Sequence, residues 1–188
     1  MSTLTLVIIV GVILMGIVGI GAAMFLKKHK TERLQTRFGP EYARAIEEGG
    51  GRRKAEAELE KREKRVEGFA IRPLTDNDRE RFLASWREVQ AEFVDDPNKS
   101  VTHADQLLGD VMSTRGYSVS EFEQRSADIS VDHPVVVENY RAAHDIVVRH
   151  ANGQASTEDL RQAMIHYRSL FDELVSEPKL ARAKAAVA

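Results

Sequence analysis

Apolar residues fill the first part of the chain without a break and then thin into helical stripes. The run over residues 4–26, LTLVIIVGVILMGIVGIGAAMFL, has 23 residues and no charge. As a helix it spans about 34 Å, enough for a hydrocarbon core of about 30 Å. A helix of a soluble protein rarely lacks a polar face over about six turns. The pattern therefore predicts a transmembrane anchor over 4–26 behind a short N-terminal end, 1–3. A cleaved signal peptide needs basic residues ahead of a shorter apolar core. Met1, Ser2 and Thr3 supply none, and the run continues past Gly21, Ala22 and Ala23, so the anchor is expected to be retained.

Beyond the anchor the pattern predicts only helices. Residues 31–38 continue the first helix until Gly39-Pro40, where proline excludes helix from the residue before it. A short helix follows over 40–48, completing a basic juxtamembrane segment, 27–48. Gly49-Gly50-Gly51 reads as a hinge. The stretch RRKAEAELEKREKRVE, 52–67, carries only Ala55, Leu59 and Val66 as an apolar line. Its Glu58/Arg62 and Glu60/Lys64 spacings suit pairs one turn apart. The expectation is a solvated spacer helix, with a short coiled coil as the alternative. With the linker to Pro73 this makes a hinge-and-spacer segment, 49–73.

Residues 74–177 form the expected soluble domain. Thr75, with Asp78 in capping-box spacing, opens a helix whose core face is Phe82, Trp86, Val89 and Phe93. Asp95-Asp96-Pro97-Asn98 ends it. A helix over about 99–115 carries Val101, Ala104, Leu107, Leu108, Val111 and Met112, with Gly116 as its C-terminal stop. Ser118 and Glu121 are expected to cap a third helix, with Val119, Phe122, Ser126 and Ile129 inward. Asp132 is expected to cap a fourth, with Pro134 in its first turn and Val137, Tyr140, His144, Val147 and Ala151 inward. Ser156 caps a fifth, with Leu160, Ala163, Met164, Tyr167, Leu170, Phe171 and Leu174 inward. Pro178 stops it, and 178–188 has no core pattern. The fold class is all-α: an anchor helix, a charged juxtamembrane helix and a bundle of about five helices.

Charge adds direction. Residues 27–67 hold thirteen Lys/Arg against nine Asp/Glu, a balance of +4, whereas 68–188 carries −6. Lys27, Lys28, Lys30, Arg33 and Arg37 follow the apolar run and nothing basic precedes it. The positive-inside rule then places the C-terminal domain in the cytoplasm. These side chains can also attract anionic lipid. Gly16, Gly19 and Ala23 share one face, where small residues let two membrane helices approach, so a homo-oligomer is conceivable. An acidic domain argues against nucleic acid as partner.

Candidate chemistry is sparse. Cysteine is absent, which removes disulfides, thiolate catalysis and Cys-based zinc. Five histidines fall in the domain, but none sits in His-x3-His or Glu-x-x-His spacing, so no metal site is expected. Asp76-Asn77-Asp78 starts like a calcium loop, yet arginine stands at 81 and 87 where glycine and glutamate are required. Residues 112–122 superficially suggest helix-turn-helix, but the second helix offers only Arg125 as a cation. No phosphate loop, nucleophile elbow or zinc-protease motif is present. Trp86, Tyr140, His144 and Tyr167 remain as pocket candidates, with core packing the simpler role for the rings. No catalytic residue and no cofactor is assigned.

The segments FVDDP, RGYSVSEFEQRSADISVDHP, YRAAH and STEDLRQAMIHYRSLFDEL resemble a widespread family of uncharacterised bacterial single-pass membrane proteins. The resemblance covers about 34–177. Ser118 stands where the family often has proline. It implies a bacterial envelope setting and no activity, and no site residue is carried over from it. The expectation is a non-enzymatic interaction module at the cytoplasmic face of the inner membrane, with the lipid bilayer and an unidentified protein as partners. A ligand-binding or enzymatic head using His144 and Tyr140, and an envelope-facing helical protein, are the alternatives.

Overall fold

The computed structural model describes the backbone of residues 3–118 and 120–176; the side chains of 3–10, 12–14, 16–18, 20, 22 and 23 lie outside the described residues. The chain is all-helical among those residues: α1 (Thr3–Phe38), α2 (Pro40–Gly49), α3 (Arg52–Glu67), α4 (Asp76–Asp95), α5 (Pro97–Arg115), α6 (Phe122–Asp132), α7 (Val137–Ala151) and α8 (Thr157–Ser176). Among the described residues no helix is long and apolar enough to cross a membrane. Most side chains of the 4–26 run, including that of Ala23, and the surroundings of Gly16 lie outside what is described, as does the tail 178–188.

Helices α4, α5, α7 and α8 build the main core. Trp86 of α4 stacks on Phe171 of α8 with ring centroids 4.6 Å apart. Val101, Leu108 and Met112 of α5, Tyr140 and Ala143 of α7 and Tyr167 and Leu170 of α8 complete it. The caps at both ends of this bundle follow from local chemistry. The Thr75 hydroxyl accepts the Asp78 N–H at 3.1 Å, and Ser156 accepts that of Asp159 at 3.3 Å. Gly116 is the position where glycine is required. Its φ is 98°, and a Cβ there would collide with the carbonyl of Ala70. That close approach lets the Arg72 N–H donate to the Arg115 carbonyl at 2.8 Å, docking the linker against the end of α5.

Three boundaries differ from expectation. Helix α5 starts at Pro97, because the Asp96 carboxylate accepts the Lys99 N–H at 3.0 Å and proline suits the first turn. Helix α6 starts only at Phe122, with Glu121 at its N-cap and no side-chain cap, so the expected Ser118 capping box does not form. Helix α7 starts at Val137 rather than after Asp132. Asp132 instead accepts the Tyr117 hydroxyl at 2.9 Å, and His133, outside helical geometry (φ −130°, ψ 55°) ahead of proline, breaks the helix.

The larger correction concerns 27–67. The expected solvated spacer is folded into a second core: Leu34 and Phe38 of α1, Tyr42 and Ala45 of α2, Ala55, Leu59 and Val66 of α3, and Val131 of α6. The triple glycine is a tight turn, not an extended hinge. Gly50 sits at φ 67°, its N–H bonds to the Ile46 carbonyl, and α3 folds back at once. Helix α6 joins the two cores, with Ile129 in one and Val131 in the other.

Candidate functional site

The four pocket candidates separate into two groups. Tyr140, His144 and Tyr167 converge around Phe122, which enters from α6. His144 stacks on Phe122 at 3.5 Å between centroids, nearly parallel at 8°. Phe122 lies 4.9 Å from the Tyr140 ring, and Tyr140 lies 6.1 Å from Tyr167. The i,i+4 spacing of Tyr140 and His144 places both on one face of α7, as the stripe predicts.

The polar partners of this cluster were not legible in the stripe. The Tyr140 hydroxyl donates to Asp105 of α5 at 3.1 Å, and Arg125 of α6 donates to the other Asp105 oxygen at 3.1 Å. Gly109 makes room for this, since a Cβ there would stand 2.9 Å from a terminal nitrogen of Arg125. Burial, and then the Asp105 carboxylate, push the Tyr140 and Tyr167 phenols far above their ordinary range. Both therefore stay protonated through the physiological range and cannot serve as bases. Arg125, the one cation of the second helix in the helix-turn-helix-like arrangement, points into this network and not outward to a phosphate backbone.

Trp86 stands apart from that cluster, stacked on Phe171. Its indole nitrogen is buried without a hydrogen-bond partner among the described residues. The ring lines a shallow cleft of about 200 Å³ with Gln90, Phe93, Met164 and Ile165. The cleft surface is mostly apolar, with Arg161 and Arg168 also in its lining.

Histidines elsewhere hold structural positions. His103 pairs with Glu92 at 2.6 Å, His150 meets the Ala155 carbonyl at 2.9 Å, and His166 meets the Asn139 side-chain oxygen at 2.8 Å. Among the described residues no group of three His, Cys, Asp or Glu could hold a metal ion.

The basic flank behaves differently from a free lysine-arginine tail. Lys30 reaches Glu60 at 2.8 Å, while Arg33 and Arg37 converge on Glu63 at 2.9 and 3.2 Å. Glu63 is 4% exposed, so its charge is held inside the fold by two arginines. Lys27 makes no ion pair among the described residues, and Lys28 makes only an exposed one with Glu32 at 3.8 Å.

A third cluster ties the two cores together. The Glu41 carboxylate accepts from Arg141 at 3.0 and 2.9 Å, with Arg62 and Arg44 each 3.9 Å away. Burial raises the Glu41 carboxyl above its ordinary value, with the arginines pulling the other way, and burial likewise depresses the Arg141 guanidinium. Nearby, Arg65 of α3 donates to Asp128 of α6 at 2.7 Å. Local sequence patterns miss these pairs because Glu41 and Arg141 stand 100 residues apart and Arg65 and Asp128 63.

No protein-family model, curated protein or solved structure matches the chain.

Proposed function

We propose that the chain is a membrane-tethered, non-enzymatic interaction module whose helical head sits directly on the cytoplasmic surface of a bacterial inner membrane. The observation that carries this reading is the contrast along α1. Its described apolar side chains near the N-terminal end stand largely exposed: Met15, Met24, Phe25 and Leu26 are 78%, 68%, 62% and 68% exposed, with only the His29 ring against Phe25. A Cβ added at Gly11, Gly19 or Gly21 would meet nothing within 4 Å. Ten residues on, Leu34 and Phe38 are fully buried in the head. An uncharged run of 23 residues whose described side chains stand exposed finds its apolar surroundings in a bilayer.

The same continuity limits reach. Helix α1 enters the second core without a break, so the head is carried close to the surface on a stiff stem instead of swinging from a glycine hinge. A non-enzymatic role is supported by how the candidate groups are employed: buried phenols held protonated, histidines engaged in packing, and buried carboxylates held by arginines.

Extraction of membranes from cells expressing the full chain, with sodium carbonate at high pH, tests the tether. The protein is expected to remain with the lipid pellet. Release into the supernatant, as for a peripheral protein, contradicts it.

A further inference from the structure

The contacts between α1 and α3 advance in one direction: Thr31 and Lys30 meet Glu56 and Glu60, and Arg33 and Arg37, further along α1, meet Glu63, further along α3. The two helices therefore run parallel, and α2 between them runs back. The turn at 49–51 returns the chain to the level at which α1 leaves its apolar run. Lys27, Lys30, Arg52 and Arg53 consequently line one cleft of about 380 Å³, above a Glu56 whose carboxylate is taken up by the Thr31 and Tyr42 hydroxyls. A second cleft, about 440 Å³, lies on the other side of Arg52, against Met24, Lys27 and Lys28.

From this juxtaposition we infer that the start of α3 is a second membrane contact, a docking surface for anionic glycerophospholipid headgroups. The inference rests on the tether reading, because it needs the end of the apolar run at the bilayer interface. One residue beyond Leu26, Lys27 stands at headgroup depth. Arg52 and Arg53, distant in sequence, are brought beside it by the fold. Both are exposed and make no ion pair among the described residues. Their charge is uncommitted, unlike that of Arg33 and Arg37. The amino end of α3, with no side-chain cap, adds the same sign. Glu56 is the one carboxylate lining this cleft among the described residues, against four cations of which only Lys30 is ion-paired there, so a net positive charge faces outward. The dense source of anions at that depth is the lipid phosphate layer, which attracts each basic residue near it. A planar guanidinium suits phosphate better than an ammonium does.

The test uses the full chain in nanodiscs of phosphatidylcholine with phosphatidylglycerol, read by native mass spectrometry as the ratio of the two lipids retained. The wild type is expected to retain phosphatidylglycerol in preference, and the preference should fall as salt rises. In Arg52→Gln/Arg53→Gln the preference should drop by roughly an order of magnitude, with the thermal midpoint unchanged because both side chains are exposed. Equal retention of the two lipids by the wild type overturns the inference. So does a preference that survives the double substitution, which would leave Lys27 and Lys28 as its whole source. Failure of the tether reading is seen separately, as carbonate release from vesicles of either composition.

Discussion

Arg141→Met should destabilise the folded chain by about 3–5 kcal/mol, the usual result of leaving one charge of a buried pair alone. Glu41 is 2% exposed, and without Arg141 its remaining cations stand 3.9 Å away. The pair itself is a different matter. Burial opposes the charged form of both partners, so Glu41→Leu/Arg141→Met should recover most of the loss or all of it. The pH dependence has a definite sign. A carboxyl raised above its unfolded value contributes most below that value, about 4.5 for this residue type, and loses its contribution as pH rises through the raised value. In Arg141→Met the carboxyl rises further, so the deficit should be smaller near pH 5 than near pH 8. Thermal midpoints in detergent across that range check it. A single substitution as mild as the double one, or a deficit that shrinks with rising pH, would contradict the account.

Phe38→Ala should have a comparable effect, about 3–5 kcal/mol, for a different reason. Phe38 is fully buried in the second core with Leu34 and Leu59. It marks the point where the stem becomes part of the head. Truncating it leaves a cavity among α1, α2 and α3, and the main core around Trp86 and Tyr167 is not touched. The loss should therefore fall on 27–67 first, as faster tryptic cutting inside α3, at residues 61–65, under native conditions. A solvated spacer would be cut equally fast in both proteins, and that equality would show the second core to be wrong.

These two residues also mark where sequence reading stops. The five helices of the head carry dense stripes of large apolar residues, and a period of 3.6 identifies such helices from local sequence alone. Thr75, Ser156 and Gly116 could be read in the same way, because a cap is settled within about four residues. Helix α3 could not. Its apolar line is only Ala55, Leu59 and Val66, and its burial depends on Glu56 and Glu63 finding Thr31, Tyr42, Arg33 and Arg37 in other helices. A charged residue looks solvated until its partner is known. One of its two expected pairs, Glu58 with Arg62, forms at 3.6 Å, but Glu60 turns away from Lys64 to Lys30. The candidate cluster was half legible for the same reason. Tyr140, His144 and Tyr167 lie on stripes, whereas Asp105 and Arg125 meet Tyr140 only through the packing of α5 and α6 on α7.

The central claim is a head carried on the cytoplasmic face by an uncleaved N-terminal helix. The chain has no cysteine, so Ser176→Cys, at the exposed end of α8, reports without background. Cells expressing this variant are treated with a membrane-impermeant maleimide before and after breakage, and the mass of the protein is read from the same gel. A full-length protein that labels only once the cells are broken is the expected result. Labelling in intact cells, or a chain shortened by the length of the apolar run, would place the head on the envelope side and contradict it.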